Sequence, residues 1–301
     1  MEQKVKDLSP YLREEYPFNS HFFTQNYKES SQCNQHYIDE GSGPTVVLLH
    51  GNPTWSFYYR NLIIHLRSLG FRCIVPDHMG CGLSDKPEDY PYVLKKRISD
   101  VERLIEHLGI NNYSLVVHDW GGAIGMGLAG RNPEKVNRIA ILNSAAFRSK
   151  RIPASIAFLR IPVLGKFLIR GLNIFAGMAI NMAVKIPLSP VIREGLLFPY
   201  SSWADRVAVW NFVKDIPMKA SHPSYDTLRA VEKNLSLLKD KPIGLFWGEH
   251  DFCFYMYFFK KWVQFFPNAQ RSLYSNAGHY VLEDGKKEII PDIGKFLFEQ
   301  K

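Results

Sequence analysis

Val117-His118-Asp119-Trp120-Gly121-Gly122 closes the apolar run that begins at Tyr113 and opens a helical stretch, Ala123 to Ala129. Strand, sharp turn and helix in that order form a nucleophile elbow, in which one side chain is exposed at the turn and small neighbours let the two elements approach. Gly121 and Gly122 supply the small neighbours, and Asp119 takes the nucleophile's place. Val117 stands where the serine form of the elbow has its first glycine. An aspartate at this point also serves as a helix N-cap, so the catalytic reading depends on companion motifs elsewhere in the chain.

There are three. His50-Gly51-Asn52-Pro53 directly follows the strand-like run Thr45-Val46-Val47-Leu48-Leu49, where an elbow enzyme takes the second backbone donor of its oxyanion hole. Asn52 brings a side-chain amide as well. Gly278-His279 comes after a short strand in Gln270 to Ala277, which places the histidine last in the order nucleophile, acid, histidine. Trp247-Gly248-Glu249-His250-Asp251 ends another apolar strand and offers an acid to orient that histidine and stabilise its charged form. Glu249 and Asp251 compete for this role. Asp251 is preferred because Glu249 lies within the glycine turn, and Asn143, after the run Arg138 to Leu142, removes the alternative acid position.

Short β-branched runs alternate with helical patterns, which predicts a mainly parallel sheet covered by helices on both faces. Arg72 to Pro76 and Pro242 to Trp247 are further strands of this kind. From Phe147 to about His222 the rhythm stops, and apolar helical stretches are broken by Pro153, Pro162, Pro187, Pro190, Pro199 and Pro217. The expected division is a core formed by residues 1–147 and 223–301, with a helical cap at 148–222. Gly171 to Val184 carries no charge, but fourteen residues fall short of the ~20 that a spanning helix needs.

The formal net charge of +8 is concentrated. Between Arg148 and His222 eleven Lys or Arg face three acids, Glu194, Asp205 and Asp215, while the remainder balances at 26 bases against 26 acids. Aromatic-interleaved basic motifs and recognised nucleic-acid modules are absent, so the charge marks a local cationic, apolar surface and not a nucleic-acid binder. The four cysteines, Cys33, Cys73, Cys81 and Cys253, show neither C-x-x-C spacing nor clustering, which argues against a zinc site and for reduced thiols in a cytoplasm. The charged start Met1-Glu2-Gln3-Lys4 lacks the apolar stretch of a secretory signal. No metal or other cofactor is expected.

The chain resembles the haloalkane dehalogenase-like branch of the α/β-hydrolases over nearly its whole length. The matching motifs are His50-Gly51-Asn52-Pro53-Thr54-Trp55, Asp77-His78-Met79-Gly80-Cys81-Gly82-Leu83-Ser84-Asp85-Lys86-Pro87 and His118-Asp119-Trp120-Gly121-Gly122. The resemblance implies a mostly parallel eight-stranded sheet with an inserted cap, and Asp119 displacing a leaving group from carbon. Asn52 and Trp120 would hold that group by side-chain N–H bonds. Pairing Asn52 and Trp120 with Asp251 and His279 looks like the third subfamily, which also contains enzymes of olefin biosynthesis that decarboxylate cis-β-lactones. Phe57-Tyr58-Tyr59-Arg60 and the basic, apolar cap look most like those. Their resemblance implies a lipid-derived substrate, arriving from a membrane or from a neighbouring β-lactone synthetase. The basic, apolar cap suits an anionic membrane surface, which would place a cytoplasmic protein at the inner face of the membrane, or an acidic partner, or a lid edged by solvated bases.

A carboxylate is ionised at neutral pH and needs no base to activate it. With a haloalkane, Asp119 would form an alkyl ester that His279 then hydrolyses through water. With a β-lactone, loss of CO2 would expel Asp119 and leave an alkene without water, although attack at the lactone carbonyl stays open as an alternative. Epoxide hydrolysis ranks third, because the cap offers only Tyr200, with Tyr225 just beyond it, to protonate an opening oxygen. A serine esterase lacks its G-x-S-x-G sequence here. From another class, the fold could serve as a ligand receptor without turnover.

Overall fold

The computed structural model describes residues 8–28 and 31–299. Its strands are β1 (His21–Lys28), β2 (Ser31–Gly41), β3 (Thr45–Leu49), β4 (Arg72–Pro76), β5 (Tyr113–Asp119), β6 (Val136–Ser144), β7 (Ile243–Gly248) and β8 (Gln270–Tyr274). They form one sheet in the order β1-β2-β4-β3-β5-β6-β7-β8. β2 runs antiparallel to both β1 and β4, and every later pairing is parallel. This is the fold that the strand–helix rhythm predicts.

Thirteen α-helices are described: α1 (Pro10–Glu15), α2 (Arg60–Ser68), α3 (Leu94–His107), α4 (Trp120–Ala129), α5 (Ala154–Leu159), α6 (Pro162–Lys166), α7 (Ile174–Met182), α8 (Pro190–Leu197), α9 (Val207–Lys214), α10 (Tyr225–Asn234), α11 (Met256–Phe265), α12 (Val281–Asp284) and α13 (Lys286–Phe298). The period-two geometry of strands sorts the core between the two faces of the sheet. Val47 and Leu49 pack with Ile98, Ile124 and Trp262 on one face, while Val46 and Leu48 pack with Leu62, Ile289 and Phe296 on the other. β5 lies between β3 and β6, and all its residues are buried. Burial on both faces explains why its sequence reads as a continuous apolar run instead of an alternation.

The segment after β6 departs from this rhythm. α5 to α9 follow one another without a strand, and they have a small core of their own around Ile169, Tyr200, Val209 and Trp210. Polar and aromatic contacts hold these helices to the sheet domain. The Arg170 guanidinium makes a two-armed ion pair with Glu88 at 2.5 and 2.6 Å, Trp55 Nε1–H donates to the Gly195 carbonyl at 2.9 Å, and Arg97 lies 3.6 Å from the centre of the Phe212 ring. Among the described residues no single helix is long and apolar enough to cross a membrane. α6, its π-helical continuation Phe167–Gly171 and α7 reach that apolar length together, but they bend by 71°.

Candidate active site

The elbow is built by close approach. Asp119, at the end of β5, has φ of 51° and ψ of −124°, a backbone conformation that costs a non-glycine residue about 1–3 kcal/mol and persists only when its surroundings enforce it. A Cβ at Gly121 would sit 1.9 Å from the Leu49 carbonyl oxygen, and one at Gly122 would sit 1.8 Å from Ser144 Oγ. The missing side chains therefore let α4 start directly at Trp120, against β3 and β6, three residues before the helical stretch that the sequence shows. Ser144 Oγ–H donates to the Asp119 carbonyl at 2.5 Å and fixes the turn from the β6 side.

The strap after β3 supplies the other wall. His50 Nε2 accepts from the His78 N–H at 3.0 Å, which makes Nδ1 the donor to the Gly51 carbonyl at 2.7 Å. So anchored, the strap aims the Asn52 N–H at Asp119 Oδ1, 2.9 Å away, and the Trp120 N–H reaches the same oxygen at 2.6 Å. Both backbone donors are occupied by one oxygen of the aspartate. Oδ2 is left facing His279, whose Nε2 lies 3.5 Å away.

His279 Nδ1 lies 2.8 Å from Asp251 Oδ2. Asp251 is buried and also accepts the Cys253 N–H on Oδ1 at 2.6 Å. Glu249, its competitor in sequence, is half-buried in the turn. In the sequence Asn143 marks only the absence of an acid, but in the structure it donates Nδ2–H to Asp251 Oδ2 at 2.9 Å. A strand-end residue beside the acid was the signal, and its supporting role follows only once β6 and β7 are seen side by side. Phe254 stacks on the His279 ring at 5.8 Å, and His118 Nε2 lies 2.9 Å from the His279 carbonyl oxygen. Nothing in the sequence pattern marked either residue for that role.

Burial pushes the Asp119 carboxyl above its ordinary value, against the opposing pull of the His279 charge and the two backbone N–H groups. Burial pulls His279 down, but the negative charges of Asp251 and Asp119 outweigh it and raise the imidazole overall. The charged forms of the two side chains therefore favour each other, while burial opposes both.

Trp120 packs its ring against Phe212 at 5.3 Å and lines the cavity above Asp119. Asn52 lines the same cavity, and its Nδ2 donates to the Val209 carbonyl of α9 at 3.2 Å, leaving one amide hydrogen for a ligand. Apolar residues such as Phe147, Ile156, Phe175, Val213 and Leu228 make up most of the remaining wall. Among the described residues no cluster of His, Cys, Asp and Glu is placed to hold a metal ion. The arrangement offers a carboxylate group, a histidine paired with an acid, and neutral N–H donors in an apolar chamber, which suits displacement at carbon with capture of a departing anion.

A family model described as the α/β hydrolase fold matches residues 44–177. The chain is 44% identical over 290 residues to a cis-3-alkyl-4-alkyloxetan-2-one decarboxylase of Shewanella oneidensis, covering 94% of this chain and 89% of that one. It is 31% identical to haloalkane dehalogenase 2 of Mycobacterium tuberculosis, over 92% of this chain and 94% of that one. The crystal structure of haloalkane dehalogenase DbeA from Bradyrhizobium elkani superposes with a TM-score of 0.83 at 23% identity, covering 93% of this chain and 98% of that one, a likeness of fold. The chain belongs to the α/β-hydrolase fold family, in the branch that holds the cis-3-alkyl-4-alkyloxetan-2-one decarboxylases and the haloalkane dehalogenases.

Proposed function

We propose that this enzyme decarboxylates cis-β-lactones, the oxetan-2-ones, to cis-alkenes and CO2, with Asp119 as nucleophile. The observation that carries the reading is the 44% identity to the Shewanella decarboxylase along 94% of the chain, against 31% to the mycobacterial dehalogenase. The geometry supplies a mechanism. Asp119 Oδ2, the oxygen not held by backbone N–H groups, forms a bond to ring carbon C4 as the C4–O bond breaks and its electron pair leaves as a carboxylate on C3. Asn52 and Trp120 side-chain N–H groups receive that carboxylate. Its bond to C3 then breaks to release CO2, the electron pair forms the C3=C4 double bond, and Asp119 departs as the carboxylate it was. No water and no net proton enter. Inversion in the first step and anti fragmentation in the second give a cis alkene from a cis lactone.

His279 and Asp251 then act through charge, holding Asp119 ionised, instead of by activating water. Incubating the protein separately with a long-chain cis-β-lactone and a bromoalkane, and assaying alkene and bromide, tests the reading. His279→Ala sharpens it: alkene formation should continue at a reduced rate, whereas with bromoalkane a covalent adduct should accumulate on Asp119, because water attacks an ester slowly without a general base. Alkene formation that stops with a stable adduct would overturn the water-free fragmentation. The epoxide alternative is weakened by Tyr200, whose hydroxyl is directed to the Thr54 carbonyl oxygen at 3.4 Å.

We read residues 148–222 as the lid of this site and as its contact with an anionic membrane surface, which would make a cytoplasmic protein peripheral to the inner face. Phe158, Ile161, Val163, Phe167 and Leu172 are exposed on it, and the sequence from Arg148 to Arg193 contains no acidic residue. Apolar side chains among bases are the composition of an interfacial segment. The same surface could receive a β-lactone synthetase. Sedimentation with neutral and anionic vesicles at two salt concentrations tests the membrane reading, and equal, negligible binding throughout would remove it.

A further inference from the structure

We propose that the two alkyl chains of the lactone lie in two separate arms of the cavity, the C3 chain in a larger arm beside Trp120 and the C4 chain in a smaller arm beside His279. The proposal rests on the decarboxylase reading and gives its substrate a shape and an orientation.

The chamber forks at the nucleophile. One cavity, about 900 Å³ of empty space with its solvent-open mouth included, is lined by Trp120, Ala145, Val213, Ile216, Met218 and Leu228 among others. A second, about 550 Å³ with its mouth included, is lined by Met178, Ala179, Met182, Ala183, His279 and Tyr280 among others. Asn52 and Asp119 line both, as do Ile156, Phe175 and Cys253. A substrate with one linear chain needs one arm. Two chains on adjacent ring carbons need a fork within a bond length of the reacting carbon, which is where Asp119 sits. In a cis lactone both chains leave the same face of the ring, so both arms must pass under the same roof. Ile156 of α5 and Phe175 of α7 provide it, because each lines both arms.

The orientation follows from the bonds. Asp119 bonds to C4, while the departing carboxylate remains attached to C3. Trp120 lines the larger arm and His279 the smaller one. A carboxylate directed to Trp120 carries C3, and the chain on it, toward the larger arm. C4, held by the oxygen that faces His279, sends its chain into the smaller arm. The enzyme should therefore tolerate a longer chain at C3 than at C4.

Two isomeric cis lactones test this, one with a long alkyl chain at C3 and methyl at C4, the other with the reverse. Alkene formation is followed for the unaltered protein, for Ile216→Trp and Met218→Trp in the larger arm, and for Ala179→Trp and Met178→Trp in the smaller. Met178 is 43% exposed, so its substitution leaves the packed core aside, and melting curves check that each variant is folded. The larger-arm variants should lower kcat/KM for the C3-long isomer at least tenfold relative to the C4-long isomer, and the smaller-arm variants should shift that ratio the opposite way. Equal effects on both isomers in every variant, or the reverse pattern, would overturn the proposal. An unaltered protein that converts neither isomer would remove the decarboxylase reading itself, a result distinct from an active enzyme with no discrimination between the arms.

Discussion

Asn143 and Asp251 are joined side chain to side chain, Nδ2–H to Oδ2 at 2.9 Å, while Asn143 Oδ1 accepts the Gly248 N–H at 2.8 Å. The end of β6 thus holds the acid that the end of β7 supplies. Both partners are buried. Asn143→Leu should leave the Gly248 N–H unpaired and one lone pair of Asp251 unsatisfied, at a cost of about 1–3 kcal/mol. A urea unfolding midpoint that does not move would show that the pair is dispensable.

Burial disfavours the ionised form of Asp119. Because burial raises its pKa, the folded chain binds the proton more tightly than the unfolded one. The stability this group contributes is then full below the unfolded carboxylate value and is lost as pH rises through the folded one. His279 has the same sign, since its raised pKa gives stability below the unfolded imidazole value that is lost as pH rises through the folded value. Asp119→Asn should abolish alkene formation and raise stability by about 1 kcal/mol at neutral pH, a gain that shrinks as pH falls into the acid range. In the active enzyme the acid limb of the rate profile should lie above the ordinary carboxylate range. Melting temperatures and rates across pH check both expectations, and a variant no more stable than the parent would contradict the first.

Trp120→Phe and Asn52→Ala each remove one neutral donor from the place of the departing carboxylate. If each resembles one oxyanion-hole donor, the loss in kcat/KM is about 2.7–4 kcal/mol. The two should differ in how the loss is divided. Asn52 also ties the strap to the Val209 carbonyl of α9, so its removal should loosen the lid and raise KM, whereas Trp120→Phe should act mainly on kcat. Steady-state rates near those of the parent in both variants would place the anion elsewhere.

Gly122→Ala tests the elbow without touching a reacting atom. Its Cβ would lie 1.8 Å from Ser144 Oγ, the hydroxyl that fixes the Asp119 carbonyl, and relief by backbone movement should cost about 1–3 kcal/mol. Adding Ser144→Ala to that variant should recover part of the lost stability. A chemical denaturation series on the two single variants and the double variant reads this directly, and strictly additive losses would contradict it.

The candidate constellation was legible because each member sits at a strand end or in the loop just after one, and strand ends in a parallel sheet are written as apolar runs stopped by glycine or polar residues. Thr45 to Leu49, Tyr113 to Asp119 and Ile243 to Gly248 are of that kind. β1 and β2 were harder to read. They are antiparallel, partly exposed and polar, with Gln25 and Gln35 hydrogen-bonded to each other in the interior, so no continuous apolar run marks them. Asn143, Phe254 and His118 serve the site through neighbours far away in the chain, and no spacing within the sequence encodes such contacts. The motif from Asp77 to Pro87 was legible as a motif but not in its purpose. Asp77 accepts N–H bonds from Ser56 at 2.7 Å and Leu83 at 2.8 Å and lies 2.8 Å from His36 Nδ1. Burial pushes its carboxyl up, but His36, His50 and the Leu83 N–H outweigh that push and hold it down to about 2, so it acts as an anionic tie between loops.

On the proposed reading, the resting position of Asp119 Oδ1 favours ring opening at the alkyl carbon. A strained lactone offers two electrophilic carbons, the acyl carbon and the alkyl carbon. Acyl attack needs the substrate's carbonyl oxygen seated between the Asn52 and Trp120 N–H groups, and the enzyme's own carboxylate already fills that seat at 2.9 and 2.6 Å. Entry of a carbonyl would require ejecting an anion from two charge-assisted bonds in a dry site. Acyl–oxygen scission is thereby handicapped before substrate arrives, and the free Oδ2 is left to alkylation at C4. Two backbone N–H groups on one oxygen atom thus steer which of the lactone's two carbons the other oxygen meets.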